Sequence, residues 1–223
     1  MKKPIITKEC LKPLLDTKFL KAADLQYAEG RHYFIAGRKS LDEFTAIKSE
    51  EEFRAMHADA ATCFVIVRTP DTEPKLLLQY EFRYPTGQFL LSPPAGLIDP
   101  EDREGRTPEE TLLVTARREI HEETGIEVKD SDRLFVLNPL LFSSPGMTDE
   151  SNGIVGAVID LKDFSSLGND FSEDTECFDG FELVTKDEAQ KILKRGTDKN
   201  GIFYSVYTWA ALLWFLTIYS TIQ

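Results

Sequence analysis

The sequence predicts an α/β fold, because strand-like apolar runs are interleaved with two helices that carry their own start and stop signals. The run at 61–68 is apolar and rich in β-branched residues, and a turn over 70–74 leads into a returning strand. The predicted strands are 61–68, 75–80, 88–92, 133–137 and 153–160.

Local capping signals predict the first helix. Thr107 and Glu110 form a capping box around Pro108, and Gly125 is suited to the left-handed position that ends a helix. Together they predict a helix over about 108–123. The second helix, 186–195, is amphipathic and is predicted to turn Ala189, Ile192 and Leu193 inward.

A small N-terminal β-region, residues 1–58, is predicted to precede a larger domain over 59–223. Within it, Gly30 separates two strand-like segments at 23–29 and 32–36, which predicts a hairpin. Residues 49–56 predict a short helix or turn.

Composition excludes several classes of protein. A net charge of −12 without a basic stripe argues against nucleic-acid binding, and 42% hydrophobic residues suffice for a full core. Three scattered cysteines (Cys10, Cys63 and Cys177) are too few for a disulfide framework or zinc site and fit a reducing cytosol. The N-terminus lacks the apolar segment of a signal peptide, so a cytoplasmic location is expected.

The C-terminal segment 205–223 is uncharged and strongly apolar between Trp209 and Tyr219. Its length only just reaches that of a bilayer span. Because it contains polar residues and no flanking basic cluster, we expect a buried terminal helix and no membrane anchor.

Three carboxylates mark the helix at 108–123. Glu119, Glu122 and Glu123 stand at i, i+3 and i+4, so they share one helical face and repel one another. A hard divalent cation such as Mg²⁺ or Mn²⁺ would remove that repulsion. Spacing alone does not separate this hypothesis from an ordinary solvated acidic face.

The flanking residues favour the metal hypothesis. Arg118–Ile126 resembles the second half of the Nudix box, G-x5-E-x7-R-E-U-x-E-E-x-G-U, where U is apolar. The first half departs from the pattern, since Glu104 stands where the glycine belongs and Gly96 is the nearest equivalent. The eight extra residues are predicted to add one helical turn and a charged loop at 100–104. Glu110 matches the box spacing but is interpreted as a cap.

Three further segments resemble the ADP-ribose pyrophosphatase branch of that family. Gln79–Pro85 resembles its Q-x-R-x-P strand end, and Leu91–Gly96 resembles E-L-P-A-G, with Ser92 in place of the usual glutamate. Ser143–Glu150 resembles the S-P-G-x-x-D-E loop.

The resemblance implies an α/β/α sandwich with a mixed sheet and a set of site residues. Two or more Mg²⁺ (or Mn²⁺) ions would sit among carboxylate and carbonyl ligands, Arg118 would fix a carboxylate while pointing away from the metals, and a loop glutamate would be the catalytic base. The implied metal ligands are Glu119, Glu123 and the Ala95 carbonyl, and Glu122 is either a ligand of a second ion or an acceptor that supports the ligands. The base is Glu150, the diphosphate clamp is Arg83, and the adenine-stacking candidates are Phe82 and Tyr84.

The activity implied is hydrolysis of ADP-ribose to AMP and ribose 5-phosphate by a homodimer formed through the N-terminal β-region. Three alternatives stay open: a hydrolase of another nucleoside diphosphate-linked substrate, a nucleotide or ADP-ribose sensor with little turnover, and an interaction protein that uses its C-terminal helix. The missing box glycine and the inserted helical turn are what favour a sensor. His121 lies inside the box and is interpreted as a structural or surface histidine.

Overall fold

A computed structural model describes residues 3–169, 171, 176–217 and 219. Contacts between residues divide the chain into two compact units. The first contains Met1–Asp59 and Leu140–Asn152, and the second contains Ala60–Pro139 and Gly153–Gln223.

The N-terminal part of the first unit forms an antiparallel sheet in the order β1-β2-β3. Its elements are β1 (Leu11–Asp16), β2 (Lys21–Ala28), β3 (Arg31–Gly37) and α1 (Glu50–Arg54). The predicted hairpin around Gly30 is confirmed, and α1 is capped by Ser49, whose side chain accepts from the amide of Glu52. The sequence did not predict β1, because Pro13 is unusual inside a strand; it lies at an irregularity in the pairing of β1 with β2.

A second, mixed sheet has the order β10-β5-β4-β9-β8, with β6 paired to β5 and β7 paired to β4. The remaining elements are β4 (Ala60–Thr69), β5 (Thr72–Arg83), β6 (Gln88–Ser92), β7 (Ala95–Leu97), α2 (Pro100–Arg103), α3 (Pro108–Thr124), β8 (Arg133–Phe142), β9 (Ser151–Asp160), β10 (Phe178–Val184), α4 (Lys186–Arg195) and α5 (Val206–Thr217). The predicted turn at 70–74 was too long. It occupies only Pro70 and Asp71, and Pro74 lies inside β5 where pairing with β4 is irregular.

Helices cover both faces of β4, which is buried along most of its length. Successive strand side chains point to opposite faces. The Cys63 thiol contacts the Ala116 carbonyl of α3, whereas the Phe64 ring lies 5.8 Å from the Trp214 ring of α5. The predicted α/β/α arrangement with a mixed sheet is therefore confirmed.

The C-terminal helix is part of the core. Trp214 and Phe215 of α5 are buried together with Leu78 and Tyr80 of β5, as the apolar composition predicts. Positions 218 and 220–223 of the predicted 205–223 segment lie outside the described residues. Among the described helices, none has both the length and the apolar character needed to cross a bilayer.

Candidate active site

Helix α3 carries the acidic residues of the candidate site and begins and ends where its caps predict. The Thr107 hydroxyl accepts from the Glu110 amide at 3.3 Å, and Glu110 Oε2 accepts from the Thr107 amide at 2.9 Å. Gly125 ends the helix with φ 72°. The prediction that Glu110 caps the helix is confirmed.

Glu119 is buried against the backbone of β7. It is 5% exposed, and a Cβ built on Gly96 would lie only 2.0–2.2 Å from the carboxylate atoms of Glu119. Only glycine can occupy position 96 while Glu119 keeps this conformation. The glycine predicted to replace that of the Nudix box therefore lies directly against the first of the helix carboxylates.

Glu123 is buried more deeply, at 1% exposed. Its Oε2 accepts from Gln79 Nε2 at 2.6 Å and from the Ala95 amide at 3.0 Å. Its Oε1 is buried without a hydrogen-bond partner among the described residues. A buried acceptor without a partner is costly, so Glu123 has unused capacity to bind a donor or a cation.

Burial makes these carboxylates resist ionisation. It raises the pKa of Glu119 to about 7, an effect that Arg118 opposes and Glu122 reinforces. Burial also raises the pKa of Glu123 well above its usual range, with repulsion from Glu81 and Glu119 adding to the effect. A cation among them would favour their charged forms.

Arg118 connects the carboxylates of α3 to the residues before the helix. Its guanidinium donates to Glu119 Oε1 at 2.7 Å, to Glu122 Oε2 at 2.9 Å, to Asp102 Oδ2 at 3.0 Å and to the Leu97 carbonyl at 2.9 Å. Arg118 thus holds carboxylates as expected, and two of them, Glu119 and Glu122, are themselves expected metal ligands. Its expected orientation away from the metals stays a prediction.

Asp102 is a site residue that sequence reasoning missed. The segment predicted as a charged loop at 100–104 contains helix α2, so that prediction was wrong. Asp99 followed by Pro100 is the available signal, since this pair suits the N-cap and first position of a helix. Asp102, 6% exposed, also accepts from the Thr115 hydroxyl at 2.9 Å.

One face of β5 adds a further carboxylate. Gln79, Glu81 and Arg83 alternate along the strand, and Arg83 Nη2 lies 2.5 Å from Glu81 Oε2. Burial raises the pKa of Glu81 to about 7, while Arg83 opposes the shift. Sequence reasoning singled out Arg83 but not Glu81, although the polar alternation in an apolar strand was the signal.

The aromatic residues around Arg83 form a small cluster. The Phe82 ring packs edge-on against Tyr84 at 5.1 Å and against Phe89 at 5.3 Å. Tyr84 is 73% exposed, so its ring has a free surface, whereas Phe82 is mostly covered.

The sequence profile of the NUDIX domain matches residues 56–204, more than half of the chain. The chain belongs to the Nudix family. The resemblance seen in Arg118–Ile126 is thereby confirmed.

Curated relatives match over shorter stretches. ADP-ribose pyrophosphatase from Saccharomyces cerevisiae is 31% identical over 104 residues, covering 46% of this chain and 40% of that protein. Nudix hydrolase 14, chloroplastic, from Arabidopsis thaliana is 32% identical over 101 residues, covering 42% of this chain and 30% of that protein. The alignments span less than half of the length of either relative.

A solved structure shares the fold. It is described as the crystal structure of an ADP compounds hydrolase and aligns with a TM-score of 0.52 at 17% identity, covering 95% of this chain and 91% of its own. At this identity the likeness establishes the fold alone.

Nudix hydrolases generally use divalent metal ions, and the donor set in the second unit suits one. It offers carboxylate and carbonyl oxygens, the ligands that hard cations prefer, and the unpartnered Oε1 of Glu123. Among the described residues, however, no three His, Cys, Asp or Glu side chains already form a metal cage. Arg118 contacts one oxygen of Glu119 and one oxygen of Glu122, so each carboxylate has a second oxygen that could bind a cation while Arg118 stays in place.

The remaining predicted site residue, Glu150, belongs to the first unit. Its Oε2 accepts from Arg38 Nε at 3.3 Å, and its carbonyl accepts from the Ser143 amide at 3.2 Å. His121 stacks on Phe171 with ring centroids 4.7 Å apart, as suits a structural histidine.

Proposed function

We propose that this protein is a Mg²⁺-dependent hydrolase of nucleoside diphosphate sugars that cleaves ADP-ribose to AMP and ribose 5-phosphate. The observation that carries the proposal is the buried carboxylate pair Glu119 and Glu123, held against Gly96 and Ala95 with one oxygen unpartnered. The names of the yeast relative and of the solved structure support an ADP-containing substrate.

The residues that would hold the cation are Glu119, Glu122, Glu123 and the Ala95 carbonyl. A bound divalent cation would neutralise charge on the diphosphate and lower the pKa of water. Arg118 is assigned the role of orienting Glu119 and Glu122, the two carboxylates that it contacts.

Substrate contacts are assigned to the end of β5 and the reaction's base to the loop before β9. Arg83 would bind the diphosphate through its planar guanidinium, releasing Glu81 as it does so. Tyr84, with its exposed ring, is the stronger candidate for stacking on adenine, and Phe82 would support it. Glu150 would accept the proton of the attacking water.

We further propose that the protein is a cytoplasmic homodimer that associates through the β1-β2-β3 sheet. Apolar side chains on this sheet are exposed, among them Leu14 at 59% and Phe34 at 65%. Exposed apolar patches mark interaction sites in folded proteins, and a second copy of the sheet would cover them.

The test is to incubate the full chain with ADP-ribose and Mg²⁺, with and without EDTA, and to follow AMP release. We expect release that EDTA abolishes, and we expect Glu119→Gln and Glu123→Gln each to reduce turnover by about 10² or more while substrate still binds. Glu109→Gln, the same charge change at an exposed position of α3, serves as the matched control.

The outcomes separate the alternatives. Metal-dependent ADP-ribose binding without AMP release would contradict the hydrolase and favour a sensor. Neither binding nor release would reject ADP-ribose, and a panel of other nucleoside diphosphate sugars would then identify the substrate.

A further inference from the structure

The loop Ser143–Glu150 is held to the N-terminal sheet by hydrogen bonds that its backbone carbonyls accept. Tyr33 Oη donates to the Gly146 carbonyl at 2.6 Å, and the Ala36 amide donates to the Met147 carbonyl at 3.0 Å. Ala36 also forms a parallel bridge with Thr148. The loop therefore turns over residues 145–147 and meets β3 at the bridge between Thr148 and Ala36.

Asp149 fixes the end of the loop. Its Oδ2 accepts from the Thr45 amide at 2.8 Å. Its Oδ1 lies against Gly37, where a Cβ would approach it to 2.5 Å. Because both carboxylate oxygens of Asp149 contact residues of the N-terminal segment, the backbone beside Glu150 is constrained.

Arg38 follows Gly37 directly and contacts the next carboxylate along. Its Nε donates to Glu150 Oε2 at 3.3 Å, and the two side chains are 52% and 33% exposed. Two neighbouring residues where β3 ends, Gly37 and Arg38, thus contact two neighbouring residues at the end of the loop, Asp149 and Glu150.

We propose that Arg38 is a positioning residue for Glu150, holding its carboxylate in the orientation needed to accept a proton. This inference rests on the proposed function, in which Glu150 is the base. Arg38 acts through Glu150 and not on the substrate, so its loss should lower kcat and leave KM unchanged. The ion pair is partly exposed, so we expect an effect of about tenfold, smaller than the loss of about 10² that follows when a reacting group is displaced by 1 Å.

The test is a double-mutant cycle on the full chain with Arg38→Ala, Glu150→Gln and the two combined. We expect Arg38→Ala to lower kcat about tenfold with KM within about twofold, and Arg38→Lys to restore most of the loss, because an ammonium can still pair with Glu150. In the Glu150→Gln background, Arg38→Ala should have no further effect. Arg54→Ala is the control, since Arg54 is an exposed arginine of the same unit paired with Glu50.

A second readout does not depend on turnover. In NMR relaxation measurements, the Glu150 side chain should be more mobile in Arg38→Ala than in the unmodified protein and unchanged in Arg54→Ala, because Arg38 contacts the Glu150 carboxylate. Unchanged mobility of the Glu150 side chain in Arg38→Ala would overturn the inference even if the protein proved to be a sensor.

The kinetic outcomes are distinguishable. A rise in KM alone would overturn the inference by making Arg38 a substrate ligand, and an additive loss in the double variant would overturn it by making Arg38 independent of Glu150. Unmodified kcat in Glu150→Gln would refute the assignment of the base itself, and the positioning role with it. A loss in Glu150→Gln without any loss in Arg38→Ala would refute only the role of Arg38.

Discussion

Replacing Gly96 with alanine should damage catalysis more than it damages the fold. The new Cβ would lie 2.0–2.2 Å from the Glu119 carboxylate atoms, and real Cβ contacts essentially never fall below 3.0 Å, so the carboxylate must retreat by about 1 Å. A misplacement of that size costs about 10²-fold in rate. Overpacking a buried site costs about 1–3 kcal/mol of stability, so most of the protein should stay folded.

The assay is kcat for AMP release from ADP-ribose, together with the free energy of unfolding in urea. Gly153→Ala is the matched control. Its Cβ would meet Leu112 at 2.3 Å in the same unit, so it should lower the free energy of unfolding without displacing Glu119. Adding Glu119→Ala to Gly96→Ala should restore the free energy of unfolding, because the new Cβ at position 96 then has no carboxylate to clash with. Unmodified kcat in Gly96→Ala would refute the close approach of Glu119 to β7.

Other variants test the ion-pair network, the core and the proposed dimer. Arg118→Ala leaves buried carboxylates without their cationic partner, so it should lower the free energy of unfolding by about 3–5 kcal/mol in urea titrations. Arg54→Ala, which removes an exposed ion pair, should change the free energy of unfolding by no more than about 0.5 kcal/mol. Equal effects of the two variants would contradict the network. Trp214→Ala should lower the free energy of unfolding by about 3–5 kcal/mol in the same assay. Trp209 lies on the same helix but is 49% exposed, so Trp209→Ala should lower it far less. A small effect of Trp214→Ala would argue against a buried C-terminal helix. Phe34→Glu should convert a dimer to a monomer by light scattering, and an unmodified mass would exclude this sheet as the interface.

The parts of the fold that the sequence predicted correctly depend on local chemistry. Capping by Thr107 and Glu110, and termination at Gly125, involve residues within a few positions of one another, so α3 is predicted almost to the residue. The same logic was available for α2 but was not applied to Asp99 and Pro100. Strand β1 was missed for a different reason, since Pro13 is tolerated there only by an irregular pairing with β2.

The parts of the site that the sequence did not predict depend on contacts between distant residues. Asp102 and Arg118 are sixteen positions apart, and Arg38 and Glu150 are 112 apart. No periodicity links such pairs, so only the folded chain reveals them. The metal ligands, the base Glu150 and the clamp Arg83 stay predictions from the family resemblance; the variants above test Glu119, Glu123 and Glu150.

The first unit is built from two separate segments of the chain, and this affects how the protein folds during synthesis. Its strands β1 to β3 are made early, but the segment Leu140–Asn152 that completes the unit is made only after the first part of the second unit, Ala60–Pro139. At 5–20 residues per second, translating residues 60–152 takes roughly 5–20 s. Throughout that interval the Ala36 amide at the edge of β3 lacks its later partner, the Met147 carbonyl, so the new sheet presents an unfinished edge while still attached to the ribosome. A chaperone that acts on nascent chains would therefore have its best opportunity before Asn152 is made.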